Sequence, residues 1–371
     1  MSAGGGRAGA RRVAATVAGG ALLILAARAF NAAVLLVPGV AFVMVGTLAP
    51  VWAWMAMRRA DVVRTLGARR VVEGQPLEIS LRLRRGWLWS PGAEVIDPVG
   101  GPIDVGGDRE IRLIVSFDRR GRAQLDPPRL RIGDPLGLVE MTRTGSGGSD
   151  EVLVLPQTDP VGWLAHRGGS SGDTVRRSAD DPWGASEVDG LRDYVPGTPA
   201  SRIHWPALAR GAGLLERRLR ADAGALPAVV LDPRSDGRRD RLDAAVRAAA
   251  SLVRELARRE GCELVLPGDR RPLRVGRDLA AWAEAHVRLA LVEDAGDTAA
   301  PALPRLRGPI FYVAARAPGE TLILPPARQG RQPFVLVLPR ELVAAAPGAV
   351  RFSVAGCQGV WVAHQRARAA A

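Results

Sequence analysis

The sequence predicts an α+β multidomain chain: a two-helix transmembrane hairpin at the N-terminus, a small β-sandwich, then an α/β domain with a mostly parallel sheet. Three observations carry this. Two uncharged apolar runs lie within the first 57 residues, apolar side chains alternate with period two between 61 and 156, and strand-like runs alternate with helical ones from Ala228 onward. At 371 residues the chain is long enough for two soluble domains plus an anchor.

The first apolar run, Val13–Ala27, is short; the second, Ala32–Met57, is long enough to span a bilayer core with some tilt. The second run ends Trp52-Ala53-Trp54-Met55-Ala56-Met57, placing tryptophans where an interfacial belt belongs. Alone, the first run would pass as a signal-peptide apolar region with Ala27-Arg28-Ala29 as cleavage site, but a longer span directly behind it favours a hairpin over 13–57. A buried hairpin of a soluble protein is the competing reading. Arg7, Arg11 and Arg12 precede the pair, while Arg58, Arg59 and Arg64 follow it. The positive-inside rule then expects residues 1–12 and the soluble domains in the cytoplasm, on a multi-pass cell-membrane protein. Arg28, near the outer turn, is expected to snorkel to the interface.

The formal net charge of +13 is concentrated at this end: residues 1–70 hold nine Arg and a single acid, Asp61. The excess flanks apolar spans and forms no groove-sized patch, which argues against nucleic-acid binding. Every basic residue is Arg, so a Walker A loop and a Schiff-base lysine are both excluded. Cys262 and Cys357 are far apart with no CxxC, as expected of buried, inert thiols in a reducing compartment.

Between 61 and 156, Leu77, Ile79, Leu81 and Leu83 alternate with polar residues, as do Ile111, Leu113, Val115 and Phe117, and Val152–Leu155 is closed by Pro156. Turn signals at Glu73-Gly74, Asp97-Pro98, Gly106-Gly107, Arg120-Gly121 and Asp134-Pro135-Leu136-Gly137-Leu138 separate the runs, as in a sandwich. Residues 157–183, rich in Gly, Ser, Asp and Arg, read as a linker. Further on, Ala228–Asp232 reads as a buried strand. Residues 240–260 place Leu242, Ala245, Val246, Ala249, Leu252, Val253 and Leu256 on one helical face before a Gly261 stop. Strands at 263–266, 310–313, 334–338, 351–354 and 360–362, and a second helix at 278–291, complete the expectation.

The densest stretch lies between linker and strand: Gly184, then Leu191-Arg192-Asp193-Tyr194-Val195-Pro196-Gly197, then Ser201-Arg202-Ile203-His204-Trp205, then Ala209-Arg210 and Leu215-Glu216. It is too polar for a core element and too aromatic for a solvated loop. Arg192, Asp193, Arg202 and Arg210 are expected to form an ion-pair network clamping this segment to the α/β domain, with Tyr194 and a buried Trp205 tying it down. A docking surface for a partner is the second reading. The stretch resembles the signature of the domain-of-unknown-function 58 family, in order and nearly in spacing: Gly, Leu-Arg-x-Tyr-x-Pro-Gly-Asp, Arg-x-Ile-x-Trp, Ala-Arg. Thr198 departs from it, standing where the family usually has Asp. His204 occupies a usually acidic position, and a structural or interface role is expected of it. The family's Arg-Gly turn and Asp-Pro-x-Gly-Leu element match Arg120-Gly121 and Asp134–Leu138. The resemblance implies a von Willebrand factor A-like α/β domain over 184–371 and a MoxR-type AAA+ ATPase as partner, in envelope or complex assembly.

In such domains a metal site of the form Asp-x-Ser-x-Ser follows the first strand. Here it reads Asp232-Pro233-Arg234-Ser235-Asp236, with Arg234 and Asp236 at the hydroxyl positions. A guanidinium there repels a cation and can pair with Asp232, so a degenerate site, no metal and no cofactor are expected. Gly184-Ala185-Ser186-Glu187-Val188 lacks the closing Gly of a nucleophile elbow, and His166, His204, His286 and His364 fall in separate segments. The expected function is a non-enzymatic membrane scaffold or adaptor. The alternative is a hydrolase using Asp232, Asp236 and the signature acids.

Overall fold

The computed structural model describes residues 3–84, 86, 92–105, 109–163, 187–194, 203–211, 213–220, 226–296, 306, 308–316, 334–345 and 349–361. The chain forms two compact units: Met1–Asp118 with Arg122–Val154, and Arg119–Gly121 with Leu155–Ala371.

The first unit opens with α1 (Ala3–Ala29) and α2 (Leu36–Met57), joined by a 3₁₀ turn at Ala33–Leu35. Both are long and apolar enough to cross a membrane. They meet through small residues: a Cβ on Gly20 would lie 2.8 Å from the Gly39 carbonyl, and α2 buries Gly39, Gly46, Ala49, Ala53 and Ala56. Their large side chains instead face outward, Leu22, Leu25, Val37, Phe42, Met44, Leu48 and Val51 among them. The helix α1 starts ten residues before the apolar run and passes through Arg7, Arg11 and Arg12, since Arg is a good helix former.

Ten strands follow: β1 (Asp61–Leu66), β2 (Arg70–Val72), β3 (Pro76–Arg84), β4 (Ala93–Asp97), β5 (Gly101–Asp104), β6 (Glu110–Ser116), β7 (Gly121–Leu125), β8 (Arg129–Gly133), β9 (Glu140–Thr144) and β10 (Asp150–Leu155). They make three small sheets, β1-β3-β6, β2-β10-β7 and β5-β4-β8-β9. Leu77, Ile79 and Leu81 of β3 point into one core with Val62, Val95, Leu130, Ile132, Val152 and Val154, while their neighbours along the strand face out. The Asp134 carboxylate accepts the Leu136 and Val139 amides, which shapes the Pro135–Gly137 turn as its sequence suggests.

The second unit contains β11 (Gly162–Trp163), β12 (Glu187–Asp193), α3 (Trp205–Ala209), β13 (Leu215–Arg220), β14 (Ala228–Asp232), α4 (Arg239–Arg259), β15 (Cys262–Val265), β16 (Leu273–Val275), α5 (Trp282–Ala290), β17 (Ile310–Ala314), β18 (Phe334–Pro339), β19 (Ala349–Val354) and β20 (Cys357–Trp361). Eight of these strands form one sheet in the order β11-β19-β20-β18-β17-β14-β15-β16. Counted from β14, the order across the middle is third, second, first, fourth, fifth: the chain runs one way across the sheet, then reverses.

The expectation of a mostly parallel sheet is corrected to a mixed one. Only β15, β14, β17 and β18 run parallel, while β16, β20, β19 and β11 join antiparallel. The connections decide this. Between β19 and β20 lie just Ala355 and Gly356, both at positive φ (47° and 76°), and so tight a turn returns the chain antiparallel. The stretch from Val265 to Leu273 is likewise too short for a crossover.

The linker boundary is also corrected, because residues 156–163 belong to this unit. Asp159 N–H donates to Ser251 Oγ at 2.9 Å, Arg254 donates to Thr158 Oγ1 at 2.7 Å, and Trp163 packs on Phe352 with ring centroids 4.8 Å apart. The helix α4 buries Leu242, Val246, Leu252, Val253 and Leu256 against the sheet and ends at Gly261 (φ 94°), as its periodicity requires. The helix α5 begins at Trp282 rather than 278 because Asp278 and Leu279 (φ 56°) form a turn first.

Candidate functional site

The central strand β14 is buried along its whole length, paired on both sides by parallel neighbours. Val229 and Leu231 point to the α4 face, while Ala228 and Val230 point to the other, so alternation sends Asp232 to that second face. Pro233 then breaks the ladder. Asp232 is fully buried at the carboxyl end of the strand from which the sheet's order reverses, the place where open α/β sheets hold ligands.

Its own chain fills that place. Arg234 donates from Nε to Asp232 Oδ1 at 2.9 Å and from Nη2 to Oδ2 at 2.6 Å, and its amide reaches Oδ1 at 3.1 Å. From β17, the Tyr312 hydroxyl donates to Oδ2 at 2.7 Å. The Asp232 hydrogen bond holds the guanidinium further protonated than usual against the opposing effect of burial. Burial first, and then the Asp232 charge, raise Tyr312 and fix its hydroxyl as a donor. The carboxylate thus carries four donors, a complete shell that leaves no lone pair directed at a cation.

The predicted pairing of Asp232 with Arg234 is present. Asp236 is half-exposed and lies 3.6 Å from Arg241. Ser235 donates to Asp294 through both its hydroxyl and its amide (3.0 Å), and Ala295 N–H reaches Pro233 O, so the loop after α5 straps the end of β14. Asp294 was not legible as part of this site; its only signal is the Asp294-Ala295-Gly296 turn. Opposed by burial, the Ser235 hydroxyl and the Gly296 and Ser235 amides together lower its carboxyl. Among the described residues, no cluster of His, Cys, Asp or Glu could hold a metal ion.

The signature segment forms a separate two-stranded ribbon, β12 with β13, in which Leu191, Arg192 and Asp193 stand opposite Arg217, Glu216 and Leu215. Tyr194 N–H donates to Leu214 O and His204 N–H to Leu215 O, tying the ends of the segment to β13. The His204 Nδ1 accepts the Ala207 amide at 3.1 Å and caps α3, the structural role expected of it. Ile203 and Ala207 are buried; Trp205 is not.

At 55 % exposure Trp205 stands in solvent, so the expectation that it is a buried clamp is corrected; Leu208, on the same short helix, and Leu214 are exposed as well. The cause is positional: Ile203 and Ala207 take the inward side, and Trp205 at the first helical position faces away. Asp193 and Arg210 are exposed too, and among the described residues no ion pair involves either; their expected partners, the Arg192 side chain and Arg202, lie outside the described residues. Gly184, Pro196, Gly197 and Arg202, and the side chains of Leu191, Arg192 and Glu216, lie outside what the structure describes.

In the first unit, Arg64 is reassigned. Counted above among the charges beside the membrane, it is in fact buried in the β-domain. It donates to Asp97 at 3.0 Å, to Asp150 at 2.8 Å and to the Leu125 carbonyl at 2.7 Å. Asp97, read as a turn starter, is its fully buried counter-charge. Sequence reading missed this cluster because its members lie 33 and 86 positions apart. Cys262 and Cys357 are buried free thiols pushed up to about 12 by burial, as inert thiols should be. No protein-family model matches the chain, and no curated protein matches it.

Proposed function

We propose that this chain is a membrane-anchored, non-enzymatic scaffold or adaptor, in keeping with its resemblance to the domain-of-unknown-function 58 family. Its second unit is a von Willebrand factor A-like domain with a sealed metal position, and its partner is a MoxR-type AAA+ ATPase. The reversal of the sheet at β14, with an aspartate ending that strand, supports the fold reading. The outward-facing apolar side chains of α1 and α2 support the anchor, since water would penalise such a surface. On the positive-inside rule the chain after α2 lies in the cytoplasm, with Arg58 and Arg59 still flanking α2 after Arg64 is set aside.

The observation that carries the adaptor reading is the exposure of Trp205, a signature residue, with Leu208 on the same short helix. Tryptophan is enriched among the residues that carry most of the binding energy of protein interfaces. A photo-crosslinker placed at Leu208 in the full membrane protein should capture the ATPase. Trp205→Ala should abolish co-purification while leaving the unfolding midpoint within about 2 °C, as expected for a surface substitution. Loss of folding, or unaltered capture, would refute the docking role.

A further inference from the structure

Where α2 ends, the chain builds a basic cavity of about 520 Å³ lined by Arg59, Ala60, Asp61, Arg84 and Arg143. Arg59 lies two residues past the last residue of α2 and adopts φ 68°, a backbone conformation rare outside glycine. Arg84 closes β3 directly opposite Asp61 of β1, and Arg143 of β9 donates to the Ala60 carbonyl at 3.2 Å. Three separate elements therefore bring guanidinium groups to one hollow. The single acid, Asp61, is engaged by the Val62 amide, by the Ser146 amide at 3.0 Å and by the Ser146 hydroxyl. The cavity keeps a net positive charge.

Its depth is set by its neighbours. Trp54, half-exposed in the last turn of α2, lies under the Arg58 guanidinium at 4.8 Å, the pairing of an interfacial belt. At the adjoining end of α1, Arg12 donates to Gly137 O at 3.0 Å, so the β8–β9 turn sits beside the hairpin with Leu136 65 % exposed at its tip.

We infer that this cavity binds the phosphate headgroup of an anionic lipid. Planar guanidinium forks match phosphate oxygens, and basic groups just beyond a membrane helix are drawn to anionic headgroups. The inference rests on the membrane-anchor part of the proposed function. The full chain in zwitterionic detergent, mixed with phosphatidylglycerol and phosphatidylcholine, is to be followed by native mass spectrometry. The wild type should retain phosphatidylglycerol preferentially. Arg84→Gln with Arg143→Gln should lower retention more than about tenfold, from roughly fivefold per arginine. Arg69→Gln with Arg70→Gln, which removes the same charge outside the cavity, should leave it unchanged, and Arg84→Lys with Arg143→Lys should restore part of it. Equal retention by both Gln pairs would overturn the inference. So would equally strong binding of millimolar inorganic phosphate without lipid, which would make the source a soluble anion. Release of the wild type from membranes by alkaline carbonate would refute the anchor itself; resistance to carbonate with pocket-independent retention would refute the lipid site alone.

Discussion

Arg234→Ala tests the sealed end of β14. In the native protein the Asp232 carboxylate is fully buried and receives two guanidinium hydrogen bonds, one backbone amide and one tyrosine hydroxyl. Truncation removes the countercharge and leaves the amide and Tyr312. Breaking a buried ion pair from one side costs about 3–5 kcal/mol, because the remaining charge is stranded away from water. With about 2–4 °C per kcal/mol for a unit of this size, the thermal midpoint of the full chain in detergent should fall by about 10 °C. The pair variant Asp232→Ala with Arg234→Ala should be no less stable than Arg234→Ala alone, since contacting residues are not additive. Millimolar Mg²⁺ should leave the wild-type midpoint unmoved, as only a ligand of the folded state stabilises it. A fall of less than about 2 °C, additive single effects, or a saturable Mg²⁺ stabilisation lost in Asp232→Ala would each refute the reasoning.

Arg64→Ala should destabilise the first unit by about 3–5 kcal/mol, because it strands the buried Asp97; urea unfolding in detergent measures it, and an effect below about 1 kcal/mol would place the cluster outside the core. His286 is buried, bonds the Pro156 carbonyl through Nε2 at 2.7 Å, and is held below its ordinary 6.5 chiefly by burial. The unfolded chain therefore binds this proton more readily, so stability is full above about pH 6.5 and declines as pH falls from there. Between about pH 7.5 and 5 the wild-type midpoint should drop further than that of His286→Gln, which cannot titrate. Reporter fusions at Ala60 and Ala371 should both report cytoplasm; activity of a periplasm-dependent reporter at either position would overturn the topology.

Periodicity alone determined the elements whose signal lies within one stretch of chain. The apolar runs of α1 and α2, the alternation of β3, the inward face of α4 and the Gly261 stop all depend on neighbours a few residues away. The pairing of Arg234 with Asp232 was legible for the same reason, since they lie two positions apart. Tertiary structure decided what depends on distant partners. Arg64 reads as one more positive charge after a membrane helix until Asp97 and Asp150 are brought to it, and burial then requires the pairing. Trp205 reads as core from its chemistry, yet the five-residue helix packs against β13 and buries Ile203 and Ala207 instead. Strand direction at the sheet edges followed from loop length and the positive φ at Ala355 and Gly356, not from the apolar character of the strands, which parallel and antiparallel pairing share.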